Sequence, residues 1–164
     1  MSGPVSRAPR RLGEEIGQSK PFRSLEQEAF LNIQRTAESL TYDLAKALEP
    51  YGLTHTQYNA LRILRGAGEG GATCSEVADR MVTRVPDVTR LLDRLEAHGL
   101  IVRARDSEDR RVVRARVTAD GLALLARLDE PVLELHRRQI GHLGADVLQS
   151  LIAALERARA GTEG

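Results

Sequence analysis

Apolar side chains recur along this chain in two different periods, and the change of period divides it. Phe30, Ile33, Ala37, Leu40, Leu44 and Leu48 fall three or four residues apart, the spacing of one helix face. Ser24 followed by Gln27 has the capping-box spacing that opens such a helix, and Pro50 with Gly52 closes it. The spacing predicts a helix over 25–49, which at ~1.5 Å per residue approaches 40 Å. That is longer than one small domain requires, so part of its stripe is expected to pack on something else. Tyr58, Leu61, Ile63 and Leu64 mark a second helix, with Thr54 or Thr56 as its cap, and the glycines from Gly66 to Gly71 end it. Thr73 and Glu76 repeat the capping-box spacing and open a short third helix to about Met81. A fourth is expected over 85–98, with Pro86 in its first turn and Gly99 after its end.

The period then switches to two. Leu100, Val102 and Ala104 alternate with Ile101, Arg103 and Arg105, and Val113, Ala115 and Val117 alternate with Val112, Arg114 and Arg116. Two such runs around Asp106-Ser107-Glu108-Asp109 read as an antiparallel hairpin. Thr118 is placed to cap the next helix, whose stripe is Leu122, Leu125, Leu128, Val132 and Leu135, with Pro131 as a site of kinking. Gly141 and Gly144 separate it from a last helix over 145–160, with Val147, Leu148, Leu151, Ile152 and Leu155. Residues 1–23 are rich in Pro, Gly and Arg without periodicity, and read as a flexible basic arm with at most a short turn near Leu12–Ile16. The order is four helices, a hairpin and two helices.

Composition narrows the function. The chain has 164 residues, 24 Lys+Arg against 23 Asp+Glu, and 3% aromatics without Trp. So few aromatics disfavour an RNA surface built on stacked rings. The single Cys excludes an internal disulfide and a multi-thiolate metal site. No apolar run reaches the length of a membrane span, and residues 1–21 lack the apolar core of a secretory signal, which points to the cytoplasm and away from membranes. The net charge of +1 argues against nucleic acid until it is sorted by segment. Residues 1–23 carry net +3, residues 24–79 net −4, residues 80–116 net +4 and residues 117–164 net −2. All ten basic residues of 80–116 are Arg, whose planar fork matches phosphate and guanine edges as Lys does not.

On a helical wheel, Val85, Val88, Leu91, Leu92 and Leu95 form one side of the fourth helix, and Thr83, Pro86, Asp87, Arg90 and Arg94 the other. After the short third helix, this arrangement reads as a helix-turn-helix whose second helix enters the major groove, or as an ordinary core helix with a solvated polar face. The hairpin favours the first reading. Strand alternation is expected to place Arg103, Arg105, Arg114 and Arg116 on one face, with Arg110 and Arg111 at the tip. A narrow tip carrying Arg suits a minor groove, and Asp106 and Asp109 are expected to hold the tip arginines in place.

The stretch Val88-Thr89-Arg90-Leu91-Leu92-Asp93-Arg94-Leu95-Glu96-Ala97-His98-Gly99-Leu100-Ile101, then Asp106-Ser107-Glu108-Asp109-Arg110-Arg111, then Val117-Thr118-Ala119-Asp120-Gly121, resembles the MarR family (multiple-antibiotic-resistance regulators). That family's pattern runs V-T-R-L-x-D-R-L-E-x-x-G-L-I/V, D-x-x-D-R-R and L-T-x-x-G. The likeness is dense over 73–121, and the helix order fits over 24–160. The resemblance implies a mainly α fold: a winged helix-turn-helix lobe, and a dimerisation lobe of N- and C-terminal helices. It divides the chain into the arm (1–23), a dimerisation helix (24–53), the DNA-binding lobe (54–117, with recognition helix 85–98 and wing 100–117) and C-terminal dimerisation helices (118–160). It implies a homodimer that is a repressor or other regulator of transcription, binding a pseudo-palindromic operator in double-stranded DNA. Thr83, Arg84, Asp87, Thr89, Arg90, Arg94, Arg110 and Arg111 are the expected DNA contacts. Pro86-Asp87 departs from the family's usual small hydroxyl residues, and Asp87 would accept from a cytosine amino group or merely cap the helix.

Family members are commonly released from DNA by small phenolic or aromatic anions, or by thiol oxidation at a Cys near the first helix, which this chain lacks. Cys74 lies instead in the third helix, as a thiol sensor or as a small core residue. Tyr51, His55, Tyr58 and Arg62 gather where the first helix turns into the second, where the resemblance puts the effector pocket; the two Tyr serve equally as packing residues. The four His lack zinc-site spacing, and nothing in the chain calls for a cofactor. The competing reading is a winged-helix module for protein partners, which a wing without basic residues would favour. An enzyme is not expected, since no catalytic triad, carboxylate pair or phosphate loop is present.

Overall fold

The computed structural model describes residues 10–106 and 109–161, which fall into two units divided between Tyr42 and Asp43. Arg7 of the basic arm, and Ser107 and Glu108 between the strands, lie outside the described residues.

In the first unit, Leu12–Glu15 form a short helix α1, so this stretch of the arm is helical rather than a turn. Leu12 is buried, and Glu15 meets Arg35 of α2 at 3.8 Å. Helix α2, Leu25–Leu48, whose residues from Asp43 on belong to the second unit, begins as its cap predicts, with Ser24 Oγ accepting the amide of Gln27. The carboxamide of Gln27 turns to the amide of Arg23 rather than to that of Ser24, so only half of the capping box forms. Phe30 and Ile33 of its apolar stripe are exposed.

The second unit holds the main core. Leu48, Leu61, Leu64, Leu92, Leu95, Leu125 and Leu128 are fully buried there, together with Val77. Thr54 rather than Thr56 caps α3 (His55–Ala67), in a complete capping box with Gln57. Thr73 and Glu76 make a second complete box at the head of α4 (Cys74–Arg80). Helix α5 is Val88–Ala97, three residues shorter at its start than the apolar pattern predicts. The Asp87 carboxylate accepts the amide of Arg90 at 2.8 Å and fixes the first turn there, leaving Val85 and Pro86 ahead of the helix. Gly99, at φ +70°, then reverses the chain into β1.

Strands β1 (Ile101–Arg105) and β2 (Val113–Val117) pair antiparallel, with Ile101 opposite Val117 and Arg103 opposite Ala115. Ala72 adds a bridge on the far side of β2 through both its amide and carbonyl with Ala115. Gly71, at φ +64°, is required here, since a Cβ on it would stand 2.5 Å from the Ala115 carbonyl oxygen. Helix α6 (Ala119–Ile140), capped by Thr118, runs on through Pro131. Helix α7 (Ala145–Ala160) buries none of its residues. No helix among the described residues is long and apolar enough to cross a membrane.

Candidate nucleic-acid interface

Six arginines of the second unit stand exposed on α5 and the hairpin, Arg116 of β2 among them. Arg90 and Arg94 lie one turn apart on α5, on the face opposite the buried Val88, Leu91, Leu92 and Leu95. Arg110 and Arg111 occupy the hairpin tip, and Arg105 is exposed at the end of β1. Thr83 and Arg84 are exposed in the turn before α5. Thr89 is exposed on the first turn of α5, and its hydroxyl lies 3.4 Å from the Cys74 sulfur. Asp87 is exposed but committed through one carboxylate oxygen to the cap described above.

The tip is set by its aspartates through the backbone rather than through the arginine side chains. Asp109 accepts the amide of Arg111 at 2.9 Å, and its carbonyl accepts the amide of Val112. Asp106 accepts from the Arg114 Nε at 2.6 Å, so the side chain it holds belongs to β2 and not to the tip.

The register also corrects the expectation of four arginines on one face. Directly paired residues share a face, which puts Arg103 and Arg105 with Ile101, Ala115 and Val117, and Arg114 and Arg116 with Val102 and Ala104. The first face is the inward one, since Ile101 and Ala115 are buried while Val102 is half exposed. Arg103 therefore reaches back to α5. Its Nε and Nη2 donate to one carboxylate oxygen of Glu96 at 2.9 and 2.7 Å, its backbone amide donates to the other at 2.9 Å, and Nη2 also meets Asp93 at 2.6 Å. These bonds to Arg103 hold the Glu96 carboxyl below its ordinary value. Arg114 reaches Glu76 of α4 at 3.3 Å as well as Asp106. Two of the six hairpin arginines thus work inside the lobe. Nothing in the composition marks which two, because the hairpin's pairing parity depends on its loop.

Tyr51, His55, Tyr58 and Arg62 all lie in the second unit. Tyr58 is buried, with the Arg62 guanidinium 5.8 Å from its ring centre, and burial pushes its hydroxyl above the ordinary phenol range. Tyr51 is half-buried beneath Arg127 of α6, 5.4 Å from its ring centre, a partner the sequence reading missed. His55 opens α3, half-buried. Beside them Arg65 of α3 grips Asp129 of α6. Among the described residues, no group of His, Cys, Asp and Glu is arranged to hold a metal ion.

The model of the MarR family matches residues 53–113, the span of α3, α4, α5 and the hairpin to the start of β2. A solved MarR transcription factor from Planctomyces limnophilus is 43% identical; the match covers 83% of this chain and 98% of that one, with a TM-score of 0.64. The transcriptional repressor MdtR of Bacillus subtilis is 28% identical, over 73% of this chain and 83% of its own. The fold is also that of BpsR from Bordetella bronchiseptica, whose DNA binding is regulated by 6-hydroxynicotinic acid; it is 20% identical, covering 80% of this chain and 98% of that one, with a TM-score of 0.71.

Proposed function

The chain belongs to the MarR family of transcription regulators, and from that premise we propose that it acts as a homodimeric repressor, reading a pseudo-palindromic operator and released by a small aromatic or phenolic anion. The observation that carries the DNA reading is the run of exposed arginines on successive elements. Arg90 and Arg94 stand exposed on α5, and Arg110 and Arg111 at the tip of the hairpin that follows it. Side chains of α5 suit the major groove, where an Arg fork recognises guanine. The tip suits an adjacent minor groove, whose negative potential is strongest over A/T-rich steps. Thr83, Arg84 and Thr89 would add contacts to phosphates or base edges.

A second copy is supported by the two stripes that remain open in the single chain: Phe30 and Ile33 on α2, and Val147, Leu151 and Ile152 on α7. Two-fold symmetry would double one oriented cationic face, so the near-zero net charge is compatible with strong attraction to DNA. For the effector, Tyr51, His55, Tyr58 and Arg62 offer ring faces and a cation to an aromatic carboxylate or phenolate. Binding there would draw Arg62 off the Tyr58 ring.

The test is electrophoretic mobility shift on the DNA upstream of the protein's own gene, across a salt series. Counterion release makes a steep fall in affinity with salt the expected result. Arg90→Ala should relax base preference, and Arg111→Ala should weaken binding to all sequences. Salt-insensitive binding, or an undiminished shift for the double variant, would refute the proposal.

A further inference from the structure

Arg103 and Arg114 attach the hairpin to two helices, Arg103 to Asp93 and Glu96 of α5 and Arg114 to Glu76 of α4. Chain connection alone leaves the hairpin hinged: only His98, Gly99 and Leu100 separate α5 from β1. The Leu100 amide returns to the Leu95 carbonyl and Thr118 holds the Gly99 carbonyl, which fixes the hinge. Further out, Ala72 and Glu76 hold the β2 side of the ribbon through Ala115 and Arg114, and the β1 side is held to α5 at Arg103. The amide of Arg103 lies on the outer edge of β1, because its partner Ala115 turns its own amide and carbonyl away to Ala72. Glu96 closes that edge with one oxygen and takes the Arg103 guanidinium with the other, while Asp93 holds the same Nη2. Both acids sit on α5, between and beyond the exposed Arg90 and Arg94.

We propose that Arg103 is a positioning residue: through Glu96 and Asp93 it fixes the wing's angle to α5, so that the spacing between the base pairs read by α5 and the minor groove entered by the tip is read as well. This rests on the DNA-binding reading above. From Arg103 to Asp106, whose amide meets the Val112 carbonyl, the ribbon extends about 10 Å, and Arg110 lies beyond that level. A swing of about 20° at Arg103 therefore moves the end of the ribbon by about 3.5 Å, close to the ~3.4 Å step between base pairs. The clamp itself touches no DNA. Its loss should leave base preference under α5 intact and remove the demand for correct spacing.

The experiment uses full-length protein and duplexes selected by it from random DNA. Three forms are compared: the selected sequence with an A/T-rich flank, the same with one base pair inserted between core and flank, and the same with a G/C flank. For the unaltered protein, insertion and G/C replacement should each cost about tenfold in affinity, the scale of one good groove contact. Arg103→Gln and Glu96→Gln, made separately so that misfolding of one does not decide the matter, should bind all three duplexes within about twofold of one another, with the core base preference unchanged. Either variant retaining the full insertion penalty overturns the proposal. So does an equal loss on every duplex, which is what mere destabilisation would produce, with thermal unfolding measured alongside. Absence of salt-dependent binding by the unaltered protein overturns the DNA reading itself, a result distinct from both.

Discussion

Arg65 of α3 closes its guanidinium fork on Asp129 of α6, one oxygen at 2.8 Å and the other at 2.9 Å. The pair ties the lobe that carries the cationic face to the long C-terminal helix within one unit. The hydrogen bonds from Arg65 hold the Asp129 carboxyl below its ordinary value of 3.8, against a smaller opposing effect of burial. A carboxylate lowered on folding stabilises the fold at pH above its unfolded value, and that contribution drains away as pH falls through the folded one. Asp129 is half exposed, so solvent screening limits the pair to about 0.5 kcal/mol. Asp129→Asn should therefore lower the unfolding temperature slightly at pH 7, and the difference from the unaltered protein should shrink as pH is taken below 3.8. Thermal unfolding followed by circular dichroism between pH 3 and 7 measures it; a difference that stays constant with pH would refute the assignment.

Asp87 combines a structural role with an electrostatic cost, and substitutions separate the two. Its carboxylate caps α5 through the Arg90 amide. Losing an N-cap costs about 1 kcal/mol. Asp87→Ala should lower the unfolding temperature, whereas Asp87→Ser or Asp87→Asn should preserve it. All three remove a negative charge from the face proposed to meet DNA, so all three should raise affinity for unrelated duplexes. Fluorescence anisotropy with a random-sequence duplex, read beside the unfolding curves, checks both effects.

Helix order was legible in the chain because it rests on local signals: Thr54 with Gln57 and Thr73 with Glu76 form the boxes their spacing suggests. The start of α5 was misjudged for the same kind of reason. Pro86 is an acceptable first-turn residue, but the acid after it is the better cap, and the cap won. The hairpin was legible as a hairpin and not as a pair of faces. Its alternation is equally regular in either parity, and the decision came from outside the strands: Ala72 pairs with Ala115, and Ile101 rather than Val102 packs into the core. That choice sends Arg103 to Glu96. Arg65 with Asp129 and Arg127 with Tyr51 are separated by 60 residues or more in sequence, and no periodicity brings such pairs together.

Gly121, in the first turn of α6, is a packing requirement rather than a flexible joint. A Cβ there would press on the Leu100 carbonyl oxygen and stand 2.6 Å from a methyl carbon of Val117. Both neighbours belong to the base of the hairpin, so relief requires the wing and α6 to part. Overpacking of this kind costs about 1–3 kcal/mol. Gly121→Ala should lower stability by that amount, although alanine is the better helix former. Chemical denaturation checks the sign: a stabilised variant would show that the approach of α6 to the hairpin is looser than the geometry states.

Helix α7 provides the test of the proposed homodimer. It buries none of its 16 residues, and Val147, Leu151 and Ile152 are all exposed on it in the single chain. A solvated helix carries no need for that stripe, whereas a helix covered by a second copy does. Leu151→Asp together with Ile152→Asp removes two apolar side chains from each copy and places like charges across any two-fold interface. Full burial of such a side chain contributes about 1.5–3 kcal/mol, so a dimer using them should weaken at least a hundredfold, to the order its own symmetry then multiplies. Sedimentation across a concentration series should show mass falling from two chains to one. Operator affinity should fall with it, because a monomer engages only one half-site, while the helical signal at high concentration should be largely kept, because neither position belongs to the buried core. An unaltered mass for the double variant would refute α7 as part of the interface.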